Sequence, residues 1–413
     1  MIRKGFSLTL SSALRVLQVH NEYYSGFGGE DTVAGLEADL LRRNGHDVER
    51  LIVSTTELKG AGPLRMASAA LGAVWSVRGY SVLKKAVAAF SPDVIHVHNP
   101  FPLLSPSIFW AAKDAGVPIV QTLHNFRITC ANALLFRDGK SCQQCVGRFP
   151  WPALQHRCYR GSMAQTAIVA CMNVVHRWIG TFTSRVDAYI VLAEFSKEIA
   201  LRSGLPEEKV FVKPNFVVKQ AEISRQRKPQ AIFVGRLYRE KGVHLLLDAW
   251  KMAQSAGRIP ADGRLIVMGD GPERSSLEQQ YRSDSGIVWC GVQPPDRVME
   301  AVATSRMLAI PSLCYENCPM VVLEAFSAGT PVIAPDHGPF PAMVSHQKNG
   351  LLFTPGDIPT LADALAIGMS AEENTWLDWS EAARTKYLAD YTEQLGYERL
   401  ITIYKQAIAR RAD

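Results

Sequence analysis

The segment MLAIPSLCYENCPMVVLEAFSAG, residues 307–329, has the pattern of a strand, a loop and a helix in succession. Met307–Ile310 is a short apolar run that predicts a strand. Pro319 suits the start of a helix and not its interior, because proline has no backbone N–H to donate. Glu316 therefore falls in the loop and Glu324 about one turn inside the helix. The segment predicts one β–α unit with two carboxylates near the point where strand passes into helix.

The same alternation of short apolar runs and helical patterns extends over the whole chain. Strands are predicted at Val16–Val19, Val48–Val53, Val94–Val97, Ile119–Leu123, Ala188–Leu192, Val210–Lys213, Ala231–Val234, Arg264–Met268, Ile287–Trp289, Met307–Ile310 and Val332–Ala334. Repeated β–α units predict parallel sheets with right-handed crossovers. A polar stretch near residues 214–230 separates two such halves, so we predict an α/β fold of two doubly wound domains. Ligands of such sheets bind beyond the carboxyl ends of the strands.

Composition limits the class of protein. The 413 residues are 47% hydrophobic and 20% charged, which is typical of a globular protein of two or three domains. These values exclude disordered, collagen-like and small disulfide-rich classes. No apolar run reaches about 18 residues, so a membrane-spanning helix is not expected. The first residues lack a cleavable signal pattern, which favours a cytoplasmic protein.

The net charge of +6 is unevenly distributed. Residues 1–206 contain 22 Lys and Arg against 14 Asp and Glu, a net of +8, whereas residues 207–413 contain 23 against 25, a net of −2. The basic half favours an anionic substrate or an anionic membrane surface, and a chance imbalance on a solvated surface is the alternative. The sequence contains no RNA- or DNA-binding motif, so nucleic acid is not an expected partner.

A predicted anion site follows the strand Ala231–Val234. Gly235 and Arg236 come directly after this strand, and Lys241 and Gly242 precede a helical pattern. Backbone N–H groups at a helix N-terminus favour an anion, and the two cations add full charges that suit a diphosphate. For this segment alone, a surface turn with solvated charges is the alternative interpretation.

Two further segments are expected to join this anion site. The turn Gly269-Asp270-Gly271-Pro272 would let the backbone approach a ligand closely. The N–H groups at the start of the helix after Glu316 would point at the same anion, while the two carboxylates would accept hydrogen bonds from sugar hydroxyls. The residues predicted to bind this ligand are Gly235, Gly269, Asn317, Cys318, Pro319, Met320, Val321 and Glu324. This combination predicts recognition of a sugar diphosphate.

The order of these segments resembles that of the retaining glycosyltransferases of family four, which have the GT-B fold. The segments are Gly235-Arg236 with Lys241-Gly242, Gly269-Asp270-Gly271-Pro272, Glu316-x7-Glu324, and Asn349-Gly350-Leu351-Leu352-Phe353. Gly28-Gly29 resembles the first glycine-rich turn of that family, and His124 resembles its active-site histidine. The resemblance covers roughly residues 14–410. The chain departs from the family pattern at Asn317-Cys318-Pro319 and at His337-Gly338-Pro339-Phe340.

The resemblance implies a domain arrangement. Two Rossmann-like domains would face a central cleft, with residues 1–210 binding the acceptor and residues 211–390 binding the donor. The helix in residues 391–413 would return to the N-terminal domain.

The resemblance also implies roles for individual residues. Glu324 would bind the nucleotide ribose and Glu316 the hydroxyls of the transferred sugar. Arg236 and Lys241 would stabilise the departing diphosphate, so no metal cofactor is expected for catalysis. His124 would complete the catalytic set. Gly28 and Gly29 would lie in the loop that contacts the acceptor or its phosphate.

The implied reaction is retaining transfer of a sugar from a UDP- or GDP-sugar to a glycan or lipid-linked acceptor, in cell-surface polysaccharide synthesis. Two alternatives remain open. One is a nucleotide-sugar epimerase of the same fold, and the other is a non-catalytic scaffold for glycan assembly. The intact Glu316–Glu324 pair, together with Arg236 and Lys241, argues against both.

Four cysteines lie close together in the sequence. Cys130, Cys142, Cys145 and Cys158 have the spacing Cys-x11-Cys-x2-Cys-x12-Cys. In a cytoplasmic chain this spacing favours a structural zinc ion that holds the loop of residues 126–160, with reduced thiols or disulfides as alternatives.

A segment near residues 64–90 mixes basic residues with large apolar ones. It could lie on an anionic bilayer at the cytoplasmic face of a membrane. The alternative is a pair of ordinary amphipathic helices whose apolar faces form core. His96 and His98 alternate along a predicted strand, and we interpret them as structural residues.

Overall fold

A computed structural model of the protein describes residues 13–22, 29–58, 60, 62–218 and 227–412. The strands are β1 (Arg15–Glu22), β2 (Asp47–Ser54), β3 (Val94–Asn99), β4 (Ile119–Leu123), β5 (Phe136–Arg137), β6 (Lys140–Ser141), β7 (Ala188–Val191), β8 (Val210–Val212), β9 (Lys228–Val234), β10 (Arg264–Met268), β11 (Ile287–Gly291), β12 (Ser305–Ala309), β13 (Val332–Pro335) and β14 (Gly350–Phe353).

Helices alternate with these strands along most of the chain. They are α1 (Gly29–Arg43), α2 (Pro63–Val74), α3 (Val77–Phe90), α4 (Ser107–Asp114), α5 (Trp151–Gln155), α6 (Met163–Trp178), α7 (Thr181–Ser184), α8 (Glu194–Arg202), α9 (Val243–Ser255), α10 (Arg274–Gln280), α11 (Pro295–Thr304), α12 (Met320–Ser327), α13 (Phe340–Met343), α14 (Ile358–Ser370), α15 (Glu373–Asp390) and α16 (Glu393–Ala412). Short 3₁₀ turns occur at Thr55–Leu58, Glu207–Lys209 and Arg239–Lys241.

Two six-stranded sheets confirm the predicted α/β fold of two doubly wound domains. The first has the strand order β2-β1-β3-β4-β7-β8, and the second has the order β11-β10-β9-β12-β13-β14. All five strand pairings of the second sheet are parallel. The bounds of the predicted strands match those of the observed strands to within three residues. The sequence patterns missed β14 and the small β5–β6 hairpin.

The order of the second sheet identifies where a ligand is expected. Its strands, numbered along the chain, follow the order 3-2-1-4-5-6 of the Rossmann fold. The direction of winding reverses between β9 and β12. Ligands of such folds bind beyond the carboxyl ends of the two strands at this switch point. The loops after Val234 and Ala309 are therefore the relevant ones.

An apolar core fixes these strands in place. Trp250 on α9, Leu265 on β10, Met307 on β12 and Leu365 on α14 are fully buried within one cluster of apolar side chains. Helices bury one apolar face against the sheet, which leaves the loops at the strand ends to carry polar residues.

By its internal contacts the chain forms two compact units. Unit 1 comprises residues 1–123, 171–190 and 400–413, and unit 2 comprises residues 124–170 and 191–399. The loop of residues 126–160 thus belongs to the same unit as the second sheet. The boundaries at 210 and 390 stay a prediction, since this division by contacts is discontinuous along the sequence.

A buried polar network lies inside unit 1. The two ring nitrogens of His96 lie 2.7 Å from the Thr122 hydroxyl and 2.7 Å from the Tyr404 hydroxyl on α16. His98 lies 3.5 Å from the carboxylate of Glu37. Both nitrogens of His96 are already bonded, so this network is suited to holding α16 in place and not to binding a ligand.

Candidate active site

The turn after β9 requires a glycine at its end. Arg239–Lys241 forms a 3₁₀ turn and α9 begins at Val243. Gly242 has φ +69°, and a Cβ there would lie 2.1 Å from the carbonyl oxygen of Pro311. A side chain at this position would therefore strain the backbone and push away the loop that follows β12. The close approach holds Lys241 beside that loop.

Lys241 and Glu316 form an ion pair at the switch point of the second sheet. Lys241 Nζ donates to Glu316 Oε1 at 2.5 Å, and the Ser312 hydroxyl donates to the same oxygen at 2.7 Å. The two charged side chains are only 21% and 15% exposed. Glu316 lies in the loop before α12, as the position of Pro319 predicted.

The pair keeps both groups charged despite their burial. Burial opposes the charged form of each group, but the facing charge and hydrogen bond outweigh it. The pKa of Lys241 is raised and that of Glu316 is lowered. A buried carboxylate that stays ionised is a strong acceptor for sugar hydroxyls, and the ammonium beside it is suited to a phosphate.

The helix α12 begins at Met320, directly after Pro319, and ends before Gly329, as predicted. Val322 N–H donates to the Pro319 carbonyl at 3.1 Å, whereas the N–H groups of Met320 and Val321 have no carbonyl partner within the helix, so they form an anion-binding end. Glu324 lies one turn inside and is partly buried. Burial raises the pKa of the Glu324 carboxyl, because its surroundings supply little to offset desolvation. Hydroxyl donors from a ligand would stabilise its charged form.

The two predicted glycine turns of the second sheet contact each other. Gly269 has φ +131°, and a Cβ there would lie 1.9 Å from the carbonyl oxygen of Gly235. Gly235 N–H donates to the Met268 carbonyl at 3.0 Å. The turns after β9 and β10 therefore depend on each other for their shape. Arg236 is exposed beside them, with its guanidinium 5.2 Å from the Tyr238 ring.

Asn317 joins the loop before α12 to the segment that begins at His124. Its amide Nδ2 donates to the backbone carbonyl of His124 at 2.7 Å, and its Oδ1 accepts from the Ser196 hydroxyl at 2.6 Å. Asn215 Nδ2 donates to the Cys318 carbonyl at 2.9 Å. The Asn317 side chain is thus engaged within the protein, so a contact from this residue to a donor would use its backbone.

The loop of residues 126–160, hereafter the cysteine loop, contacts the Glu316 loop from another side. The Ser141 hydroxyl donates to the Leu313 carbonyl at 3.0 Å and lies 3.4 Å from His337 Nδ1. Gln143 Nε2 donates to the Tyr315 hydroxyl at 3.2 Å. The cysteine loop therefore holds Leu313 and Tyr315, which precede Glu316 in the same loop.

An aromatic cluster completes this support. The Tyr315 ring lies 4.6 Å from the Phe195 ring and 5.1 Å from the His337 ring. His337 Nε2 lies 3.2 Å from the Ser312 carbonyl, and burial lowers the pKa of this histidine. His337 marks a departure from the family pattern, and here it packs under the loop that carries Glu316.

Family models match both halves of the chain. The model described as "Glycosyl transferase 4-like domain" matches residues 28–215, and the model described as "Glycosyl transferases group 1" matches residues 228–369. The chain belongs to the family-four-like glycosyltransferases of the GT-B type. The second model covers the residues from which the ion pair and α12 are built.

Curated relatives of this glycosyltransferase are about a quarter identical to it over the aligned residues. Sulfoquinovosyl transferase SQD2 of Arabidopsis thaliana is 26% identical over 73% of this chain, but the match spans only 56% of SQD2. The 2-deoxystreptamine glucosyltransferase of Streptomyces kanamyceticus is 27% identical over 86% of each chain. Among solved structures, HepE of Anabaena in complex with UDP-glucose has a TM-score of 0.66 at 17% identity, covering 95% of this chain and all of HepE. That likeness shows the fold.

The structure places most predicted site residues of the glycosyltransferase in unit 2. Gly28 lies outside the described residues, and Gly29 is the first residue of α1 in unit 1. Five residues that support the site were not predicted from the sequence: Ser141, Gln143, Ser196, Ser312 and Tyr315. Ser312 had a weak signal, since it carries a hydroxyl just after a predicted strand. The other four act through contacts between segments far apart in sequence.

Proposed function

We propose that this glycosyltransferase transfers a sugar, with retention of configuration, from a UDP- or GDP-sugar to a glycan or lipid-linked acceptor. The observation that carries the proposal is the buried Lys241–Glu316 pair at the switch point of the second sheet. It faces the same strand edge as the start of α12, so that cations, N–H groups and carboxylates converge on one ligand. Binding of UDP-glucose by HepE supports a uridine donor.

In the proposed mechanism, Lys241 and Arg236 stabilise charge on the leaving diphosphate. The N-terminus of α12 adds partial positive charge, and together these groups replace the charge of a divalent metal ion. Glu316 holds hydroxyls of the transferred sugar. Because Glu316 is already engaged by Lys241 and Ser312, it is better suited to this role than to forming a covalent bond. If the acceptor attacks the sugar from the face that the diphosphate leaves, the anomeric configuration is retained. NMR of the product tests this stereochemistry.

The roles of the remaining predicted residues follow from this proposal. Glu324 would accept hydrogen bonds from the two ribose hydroxyls. Gly235, Gly269 and the backbone of residues 317–321 would line the donor. His124, Gly28 and Gly29 would act on the acceptor side.

Nucleotide binding tests the donor half of the proposal. Glu324→Gln is expected to weaken UDP or GDP binding about 10- to 100-fold, because hydrogen bonds to a charged partner contribute about 1.5–3 kcal/mol. Titration calorimetry against a panel of nucleoside diphosphates measures the effect. Glu381→Gln, on the exposed face of α15, is the matched control. Unchanged affinity in Glu324→Gln would remove the ribose assignment.

We propose that the chain works at the cytoplasmic face of a membrane, in synthesis of a cell-surface polysaccharide. In the described ranges of the chain, no helix is both long and apolar enough to cross a bilayer. All eight cysteines are free, which suits a reducing compartment.

The helices α2 and α3 offer a surface for membrane attachment. Leu71 on α2 and Val77 on α3 are 73% and 71% exposed, whereas Leu83 on α3 is buried in the core. The two helices thus serve as core and also present apolar surface.

Flotation with liposomes tests membrane attachment. The protein is expected to float with vesicles that contain phosphatidylglycerol and to remain in the lower fractions with neutral vesicles. The reason is that basic residues bind the anionic headgroups while apolar residues insert into the bilayer surface. Leu71→Ser with Val77→Ser should reduce flotation. Leu388→Ser, at an exposed position on α15, should not. Wild-type protein that never floats would rule out peripheral attachment by this surface.

A further inference from the structure

The four clustered cysteines line one small cavity in the cysteine loop. Cys130, Cys142, Cys145 and Cys158 surround a volume of about 20 Å³. A cavity of this volume can hold about one water molecule or one ion, and it is too small for an organic ligand. The four thiols come from positions spread over the whole loop, and none forms a disulfide.

The backbone of the cysteine loop is unusually strained for its length. Within the described ranges, eight residues other than glycine have positive φ, and five of them lie in this loop. They are Ala133, Leu135, Asp138, Arg157 and Arg160, with φ between 47° and 68°. Such conformations cost about 1–3 kcal/mol each and persist where the surrounding structure fixes them.

The cysteine loop has little regular secondary structure of its own. Its regular structure is a hairpin of two-residue strands and the five-residue helix α5. Its buried apolar cluster is small: Phe126, Leu135 and Val146 pack with Ile199. A cross-link at the cavity would add a constraint to the hydrogen bonds that hold the loop.

We infer that the four cysteines bind one zinc ion, and that this ion holds the cysteine loop against the loop that carries Glu316. Cysteine thiolates in a set of four are preferred ligands of structural Zn²⁺. Arg137 also lines the cavity, and its guanidinium would offset part of the negative charge of a four-thiolate zinc centre. The ion would act at a distance from the reacting atoms, through Ser141 and Gln143.

The arrangement of the sulfurs sets one requirement. In this structure, which describes all four cysteines, no three of the sulfurs lie mutually within 4.8 Å. Zn–S bonds of about 2.3 Å in a tetrahedron place sulfurs about 3.8 Å apart. Binding therefore draws the cysteine side chains together across the cavity.

Metal analysis of the purified full-length protein tests the zinc site. Mass spectrometry of the metals is expected to find one zinc per chain in the wild type. The double variant Cys142→Ser/Cys145→Ser is expected to have none. Cys171→Ser, an exposed cysteine on α6, is the matched control and should keep its zinc. Wild-type protein that lacks zinc, and takes up no Zn²⁺ when its thiols are reduced, would overturn the inference.

A second measurement covers the case in which the double variant does not fold. Treatment of the wild type with a mercurial thiol reagent should release one Zn²⁺ per chain to a colorimetric indicator. Release of no zinc on complete thiol modification contradicts the site independently of any variant.

The effect on the Glu316 loop rests on the proposed function and has its own readout. In folded, zinc-free protein, kcat/KM for the nucleotide sugar is expected to fall about 10- to 100-fold, because displacements of about 1 Å near reacting groups have effects of this size. Equal kcat/KM with and without zinc would overturn the coupling. Zinc-loaded wild type that transfers from no donor would instead contradict the proposed function and leave the zinc site standing.

Discussion

Glu316→Gln is expected to lower kcat/KM for sugar transfer by about 10²- to 10³-fold while the protein remains folded. Glutamine has nearly the same shape as glutamate, so the loop between β12 and α12 should keep its path. The variant loses the negative charge that Lys241 Nζ faces at 2.5 Å, and it loses a strong acceptor for sugar hydroxyls. The loss should appear in kcat more than in KM, because the carboxylate is proposed to act on the sugar as it departs.

The assay needs a control for the loss of a carboxylate as such. Glu300→Gln, on the exposed surface of α11, removes the same charge away from the site and should leave transfer unchanged. Steady-state kinetics with the accepted donor, together with circular dichroism and thermal melting, separate chemistry from folding. Wild-type kinetics in Glu316→Gln would contradict the assigned role.

Lys241→Met is expected to reduce kcat by a similar factor and also to destabilise unit 2. Removing one member of a buried ion pair leaves the other charge without compensation, which typically costs about 3–5 kcal/mol. Since both side chains keep some exposure, the lower end of that range is expected here. The pKa of Glu316 should rise in this variant because its main favourable partner is lost.

Thermal unfolding and kinetics of the single and double variants measure this effect. Lys251→Met, exposed on α9, is the control and should behave like the wild type. Lys241→Met/Glu316→Gln should be less destabilised than the sum of the single variants, because the double variant buries no lone charge. Additive losses would show that the two groups act independently.

The ion pair also predicts how stability depends on pH. The pKa of Glu316 is lower in the folded protein than its ordinary value, so its contribution is present above that ordinary value. The contribution is lost as pH falls through the folded pKa. The raised pKa of Lys241 contributes stability below the ordinary lysine value and loses it at alkaline pH. Across the neutral range the pair should therefore stay intact.

The sequence predicted those parts of the site that depend on local rules. Proline at position 319 defines where α12 begins, and this places Glu316 in a loop and Glu324 in a helix. Alternation of apolar runs and helical patterns predicted both sheets. Parallel sheets then bring the residues after β9 and β12 to one edge, whatever the details of the loops.

Contacts between distant segments could not be predicted in the same way. Ser141 and Leu313 are 172 residues apart in the chain, and no periodicity relates them. The cysteine spacing suggested a loop held together by a metal ion, but it did not show that this loop packs beside the Glu316 loop. Likewise, the sequence did not show that the Asn317 side chain joins the His124 backbone to Ser196.

The most direct test of the central claim is release of nucleoside diphosphate from a panel of UDP- and GDP-sugars by purified protein. We expect the wild type to release nucleoside diphosphate from one donor well above background, and faster with acceptor, while Glu316→Gln releases almost none from the same donor. Equal release by the two proteins, or no release from any donor, would contradict it.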